Sequence, residues 1–179
     1  MNTNKSSIRN GFLLAILTIA IFLILYFLFS TQGNISELQY FNYSALINCF
    51  LLPALYAIVG FYNSYSFAKI QPLSFGQAWK LTFLPMFMGG LISLGFIFIF
   101  YNTTGAWAED SLQRGWYELM TANPNPDFME KNGELVENMN NLEFNMFTTK
   151  VFLISFSAII FFYFLISSIF AVFLKNRRV

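Results

Sequence analysis

GFLLAILTIAIFLILYFLFS, residues 11–30, is a run of twenty residues without a charge, and its reading decides the fold. At 1.5 Å of rise per residue, a helix of that length reaches about 30 Å, the thickness of the hydrocarbon core of a bilayer. Three further apolar runs follow at about 44–62, 82–101 and 151–174. The composition agrees with four spans: 56% of the chain is hydrophobic, 20% aromatic and 11% charged, where soluble domains carry roughly 25% charged residues. The mean hydropathy is +0.55. The expectation is an all-α membrane protein, one domain over residues 1–179.

Removing the four runs leaves five segments, and the charges sort between them. Lys5 and Arg9 precede the first run, Lys69 and Lys80 lie between the second and third, and Lys175, Arg177 and Arg178 follow the fourth. No acidic residue shares those segments. Glu37 lies between runs one and two, and the other carboxylates, Glu109 to Glu143, lie in the loop 102–150. This is the positive-inside pattern, and it predicts cytoplasmic N and C termini. The formal net charge of +1 therefore conceals seven positives on one side, and three positives against nine negatives on the other.

The first run has a basic start like a secretory signal. Its apolar stretch, Phe12 to Phe29, exceeds the roughly 7–15 residues of a cleavable h-region and no small-x-small site closes it, so it reads as a retained anchor. Thr31 to Tyr43 reads as a short polar exterior connection whose Tyr40, Phe41 and Tyr43 suit the interfacial aromatic belt. In run two, Pro53 is expected to kink the helix unless a neighbour compensates. Ala54, Ala57 and Gly60 recur every third residue and leave room for another helix.

Residues 63–73 read as a cytoplasmic connection. Ser74 and Gln77 have the spacing of a capping box and predict a helix start ahead of run three, with Trp79 and Lys80 at headgroup level. Pro85 is expected to bend that helix. Gly89, Gly90, Ser93 and Gly95 are its candidate helix-packing residues, because small side chains let backbones approach.

The loop 102–150 is too long for a plain connection. Leu112, Trp116, Leu119 and Met120 predict a short amphipathic helix over about 107–121. Asn123-Pro124-Asn125-Pro126 ends it, since a residue before proline is pushed out of the α region. A second helix is expected from Asp127, with Phe128, Leu135, Met139, Leu142 and Met146 on one stripe and continuing without a stop into run four. Trp116 and that stripe form a candidate cap over the bundle mouth or a partner-docking face, the methionines suiting an adaptable surface. The predicted architecture is an antiparallel four-helix transmembrane bundle with a two-helix extracytoplasmic cap between spans three and four.

Several stretches carry a resemblance to a known family: Ser74-Phe75-Gly76-Gln77-Ala78-Trp79-Lys80, Phe100-Tyr101-Asn102, Asn125-Pro126-Asp127-Phe128-Met129-Glu130, and Ile166-Ser167-Ser168-Ile169-Phe170-Ala171 before basic residues. Together they resemble the family labelled domain of unknown function 4199, found largely in the Bacteroidota. The likeness covers nearly the whole chain. One departure is an inserted-looking stretch, Gly105 to Asn123, ahead of the Pro-Asp-Phe element. The resemblance implies a Gram-negative inner membrane with the long loop in the periplasm, and it implies no activity.

Chemistry-bearing groups are sparse. The chain has no histidine and one cysteine, Cys49, inside run two, so it has neither the usual proton shuttle nor a possible disulfide within the chain. Glu109 and Asp110 are adjacent and Glu130, Glu134 and Glu137 share a helix surface, a spacing typical of a solvated face rather than of catalysis. No EF-hand spacing is present. No span holds an ionisable group of the kind that carriers keep at depth; Asn48, Ser93, Ser155, Ser157, Tyr163, Ser167 and Ser168 are the polar groups there. Tetraspanins share the short and long exterior loops, but their long loop needs disulfides. The N-x-Ser/Thr triplets at Asn34, Asn42 and Asn102 are of a kind that arises by chance.

The expected function is non-enzymatic, without catalytic residues, metal or cofactor: an inner-membrane scaffold or accessory subunit. The alternative is a small-solute or lipid transporter or channel formed by an oligomer. The expected partners are the lipid bilayer and a membrane or periplasmic protein, with a homo-oligomer left open and nucleic acid excluded. A continuous polar cavity would favour transport, a packed core would oppose it for the monomer, and an apolar groove opening sideways would point to lipid.

Overall fold

The structure is a computed structural model that describes residues 3–30, 37–122, 133–134, 137 and 148–176. Among these residues the protein is built from helices and has no strand; a lone bridge joins Leu73 to Lys175. In chain order the elements are α1 (Thr3–Ser30), α2 (Glu37–Leu46), a π-helical segment (Ile47–Leu51), α3 (Leu52–Ala68), α4 (Phe75–Thr103), α5 (Ala106–Ala122) and α6 (Thr149–Leu174). Four helical stretches are long and apolar enough to cross a membrane: Asn4–Ser30, Glu37–Ala68, Phe75–Thr103 and Thr149–Leu174.

The second stretch corrects the expected boundaries. Thr31–Tyr43 is not all connection, because helix begins at Glu37, and it runs to Ala68 rather than to Tyr62. Glu37 in the first turn favours that start, a carboxylate being stabilised at the positive end of a helix. Tyr40 and Ser44 then bury on its inner face. One residue separates Pro53 from the π segment, and that residue, Leu52, bonds through its N–H to Ile47 O, five residues back. The wider turn makes room for the proline ring, so helix continues through Pro53. Just inside the π segment the Asn48 side chain donates to Ser44 O, one turn back, at 2.8 Å.

Helix α4 begins as the capping box predicts. The Ser74 hydroxyl accepts from the Gln77 amide at 3.3 Å, and the Gln77 side-chain oxygen accepts from the Ser74 amide at 2.9 Å. Helix α6 departs from expectation, since it does not continue from a preceding helix. Thr148 has an extended backbone (ψ 149°) and its hydroxyl accepts from the Val151 amide at 3.4 Å, which makes it an N-cap. Phe128, Leu135, Met139, Leu142 and Met146, the stripe expected of the second loop helix, lie outside the described residues.

Helix α4 is the central element, packed against α1, α3 and α6. Contacting residue numbers rise together on α1 and α4: Gly11 faces Met88 and Gly89, while Phe22 meets Phe100. They run oppositely on α3 and α4, where Asn63 bonds Leu81 and Tyr56 bonds Ser93, and on α6 and α4, where Phe98 meets Phe152 and Trp79 meets Phe164.

The core is three clusters stacked along this bundle. At the end where α1 begins and α6 finishes, Phe67, Ala68, Leu73, Ala78, Leu81, Ala171 and Leu174 pack together. The middle holds Leu14, Tyr56, Met86 and Tyr163. At the far end Leu25, Tyr40, Tyr101 and Ala108 are buried, with Tyr26 and Phe29 against them. The outside is as apolar as the inside: Ile16, Phe50, Ile58, Ile154 and Phe161 are all more than 60% exposed. A contiguous surface of this kind is incompatible with water and matches lipid.

Candidate functional site

The polar groups inside the bundle gather into two seams that bond helix to helix. In the first, Asn63 of α3 is fully buried. Its Nδ2 donates to Leu81 O of α4 at 2.7 Å and to Ser7 Oγ of α1 at 2.9 Å. Its Oδ1 accepts from Asn10 Nδ2 at 2.8 Å and from Ser6 Oγ at 3.4 Å. One amide thus ties three helices with every donor and acceptor used, which is what burial of an amide demands. Beside it, Ser64 Oγ donates to Ala78 O at 3.2 Å.

The second seam lies near mid-bundle. Tyr56 Oη shares hydrogen bonds of 3.1 Å with Thr18 of α1 and with Ser93 of α4. The ring stacks on Tyr163 of α6, with centroids 5.3 Å apart and planes 10° from parallel. Tyr56 therefore touches all three neighbouring helices. Glycines make the approach: a Cβ at Gly89 would stand 2.9 Å from Leu14 Cβ, and one at Gly90 would stand 3.0 Å from the Tyr163 ring.

Of the residues singled out for packing on α4, Gly89, Gly90 and Ser93 are thus at helix contacts, whereas Gly95 has nothing within 4 Å of a Cβ position. On α3, Gly60 is at a contact and Ala54 is exposed. Ser157 and Ser168 bond the carbonyls of Leu153 and Phe164 on their own helix, at 2.8 and 2.9 Å. Asn63 and Tyr56 were missed as site residues. Their signal was the stripe Tyr56, Gly60, Asn63, Ser64, at i, i+4, i+7 and i+8 on one face of α3.

Two adjoining cavities sit beyond this seam, sharing Thr18, Asn48, Leu52 and Leu94 in their walls. One, of about 230 Å³, lies under α5 and is lined by Phe22, Leu25, Tyr101 and Leu112 among others. The other, of about 390 Å³, lies between the π segment and α6, with Pro53, Tyr56 and Tyr163 in its wall. Cys49, Ala158 and Phe162 line its mouth and are exposed, so it opens sideways.

Helix α5 lies across the far end. Its buried face is Ala108, Ser111, Gln113 and Gly115 rather than the predicted large stripe. Trp116 is half-buried and Leu119 is 50% exposed, while Leu112 rests on the outer cluster. The reason is close approach to α2: a Cβ at Gly115 would stand 2.5 Å from Phe41 Cβ and 2.7 Å from Glu37 O. Trp107 meets Tyr26 and Tyr40, and Arg114 pairs with Glu37 at 3.5 Å. Tyr40 Oη and Ser44 Oγ are buried near one another and near Tyr101. Among the described residues, no three His, Cys, Asp or Glu side chains converge as metal ligands would.

Four long apolar helices joined by buried polar seams define a helical membrane protein. The chain belongs to the family described as "Protein of unknown function (DUF4199)", whose model matches residues 9–176. No curated protein and no solved structure matches it.

Proposed function

We propose that this is an inner-membrane protein whose four spans form an antiparallel bundle with both termini in the cytoplasm, α5 and the rest of the long loop covering the periplasmic end. Its role is non-enzymatic, as a scaffold or accessory subunit working through packing and contact. One observation carries this reading: the buried polar groups of the two seams, Asn63 with its partners and Tyr56 with Thr18 and Ser93, are bonded helix to helix, and the end where α1 begins and α6 finishes is packed. Side chains spent on holding helices together are not available along a path for solute.

The lateral cavity beside the π segment favours a second reading, lipid handling, because an apolar recess open to the bilayer admits a chain and not an ion. Two measurements test the proposal. A reporter fused after Val179 is expected to be active in the cytoplasm, while a cysteine at Asp110, in a chain with Cys49→Ala, labels from the periplasm. Proteoliposomes of the purified chain are expected to pass small solutes no faster than empty ones. Reversed labelling overturns the topology, and solute flux overturns the scaffold in favour of transport.

A further inference from the structure

A groove between α1 and α3, at the end of the bundle where α1 begins and α6 finishes, joins a cation to an apolar trough. Its volume is about 440 Å³. The exposed Arg9 and Tyr62 stand at its mouth with Asn10 in the floor beside them, and Leu13, Leu17 and Ile58 continue along it. Those three aliphatic residues are 59%, 43% and 65% exposed, so the trough opens to lipid along its length.

Among the described residues, no acid pairs with the charge at the mouth. The only ion pair among the described residues joins Arg114 to Glu37, at the opposite end. All nine carboxylates lie at position 37 or between 109 and 143, and Lys5, one turn before Arg9, adds a second positive charge. The floor beside Arg9 is rigid, because Asn10 is held at 2.8 Å by the fully bonded Asn63. The same chain of bonds reaches Leu81 O, which keeps Arg9 in the half of the molecule where α4 begins, the half that carries Lys80.

Length completes the match. From Arg9 to Leu17 the helix rises about 12 Å, most of one leaflet of roughly 15 Å. The geometry points to an anionic phospholipid of the cytoplasmic leaflet, its phosphate on the Arg9 guanidinium and one acyl chain in the trough along Leu13 and Leu17. A guanidinium binds phosphate through two parallel donors, which gives the head a fixed place, and the trough sets the register of the chain. This assignment rests on the membrane topology proposed above.

The test uses the full chain, delipidated in detergent and offered phosphatidylglycerol and phosphatidylcholine of the same chain length, with retained lipid read by native mass spectrometry. Phosphatidylglycerol is expected to be retained about fivefold over phosphatidylcholine, the ratio one interfacial cation supplies. Arg9→Gln brings the ratio near one, whereas Lys80→Gln, which removes the same charge from the same side of the molecule but outside the groove, leaves it. Leu13→Trp fills the trough and lowers retention with Arg9 intact, and glycerol phosphate, a head without chains, does not displace the lipid. Equal retention of the two lipids, equal effects of the two glutamine variants, or displacement by glycerol phosphate overturns the proposal. Release of the chain from membranes by alkaline carbonate would instead sink the topology; a membrane-held chain without lipid preference sinks only the lipid site.

Discussion

The same substitution, glycine to alanine, should act in opposite directions at two positions of α4 six residues apart. At Gly89 an added Cβ lies 2.9 Å from Leu14 Cβ and 3.2 Å from Gly11 O, at the crossing of α1 and α4. Carbon atoms sit comfortably at about 3.5–4.0 Å, so the helices must part by roughly 0.6–1.1 Å. Forcing a methyl into a packed contact costs about 1–3 kcal/mol. At Gly95 a Cβ meets nothing within 4 Å. There the substitution only gains helix propensity, about 0.8–1 kcal/mol on the scale measured in water. That gain is common to both variants, so their difference isolates packing: Gly89→Ala should be less stable than Gly95→Ala by about 1–3 kcal/mol. Reversible unfolding in mixed micelles, followed by circular dichroism, measures both. A Gly89→Ala protein as stable as Gly95→Ala would mean that α1 and α4 do not cross there.

Tyr56→Phe should destabilise the bundle by about 1 kcal/mol, the sum of two interhelical bonds of roughly 0.6 kcal/mol each; combined with Thr18→Val the loss should fall short of additive, since the two share one bond. Asn63→Leu leaves Ser7, Asn10 and the Leu81 carbonyl without their shared partner, and a loss of about 2 kcal/mol in the same unfolding assay is expected; a neutral result would remove the seam as a stabilising element. Gly115→Leu should lift α5 from α2, because its side chain would collide with Phe41 and the Glu37 carbonyl. Limited proteolysis of purified protein would then cut within residues 106–122 several times faster than in the parent, with the spans intact.

Hydrophobic length, a one-dimensional property, made the four helices legible, and the capping box at Ser74 and Gln77 placed the start of α4 to the residue. The boundaries of the second span were less legible, because Glu37, Gln39 and Asn42 look like loop when read by polarity alone. Helix forms there because Tyr40 and Ser44 bury beneath α5, a contact between segments some seventy residues apart. The break at Thr148 was hidden for a similar reason: periodicity registers a continuing stripe and does not register one residue turning to extended backbone. On α5, reading for large apolar residues picked Leu112, Trp116 and Leu119, whereas the buried face is made of small ones, since distance to α2 matters more than side-chain size.

What the amino-acid sequence determined alone was therefore the number of spans, the sorting of charge between their ends, the family, and the small residues that permit helices to approach. Those follow from solvent transfer and electrostatics, which act on each segment independently. Only the tertiary structure decided that Asn63 ties α3 to two other helices and Tyr56 ties it to three, that a π turn precedes Pro53 with helix continuing through it, and that grooves remain beside α3. These depend on which faces meet, and a hydrogen bond or a cavity exists only when two surfaces are brought within a few ångströms of each other.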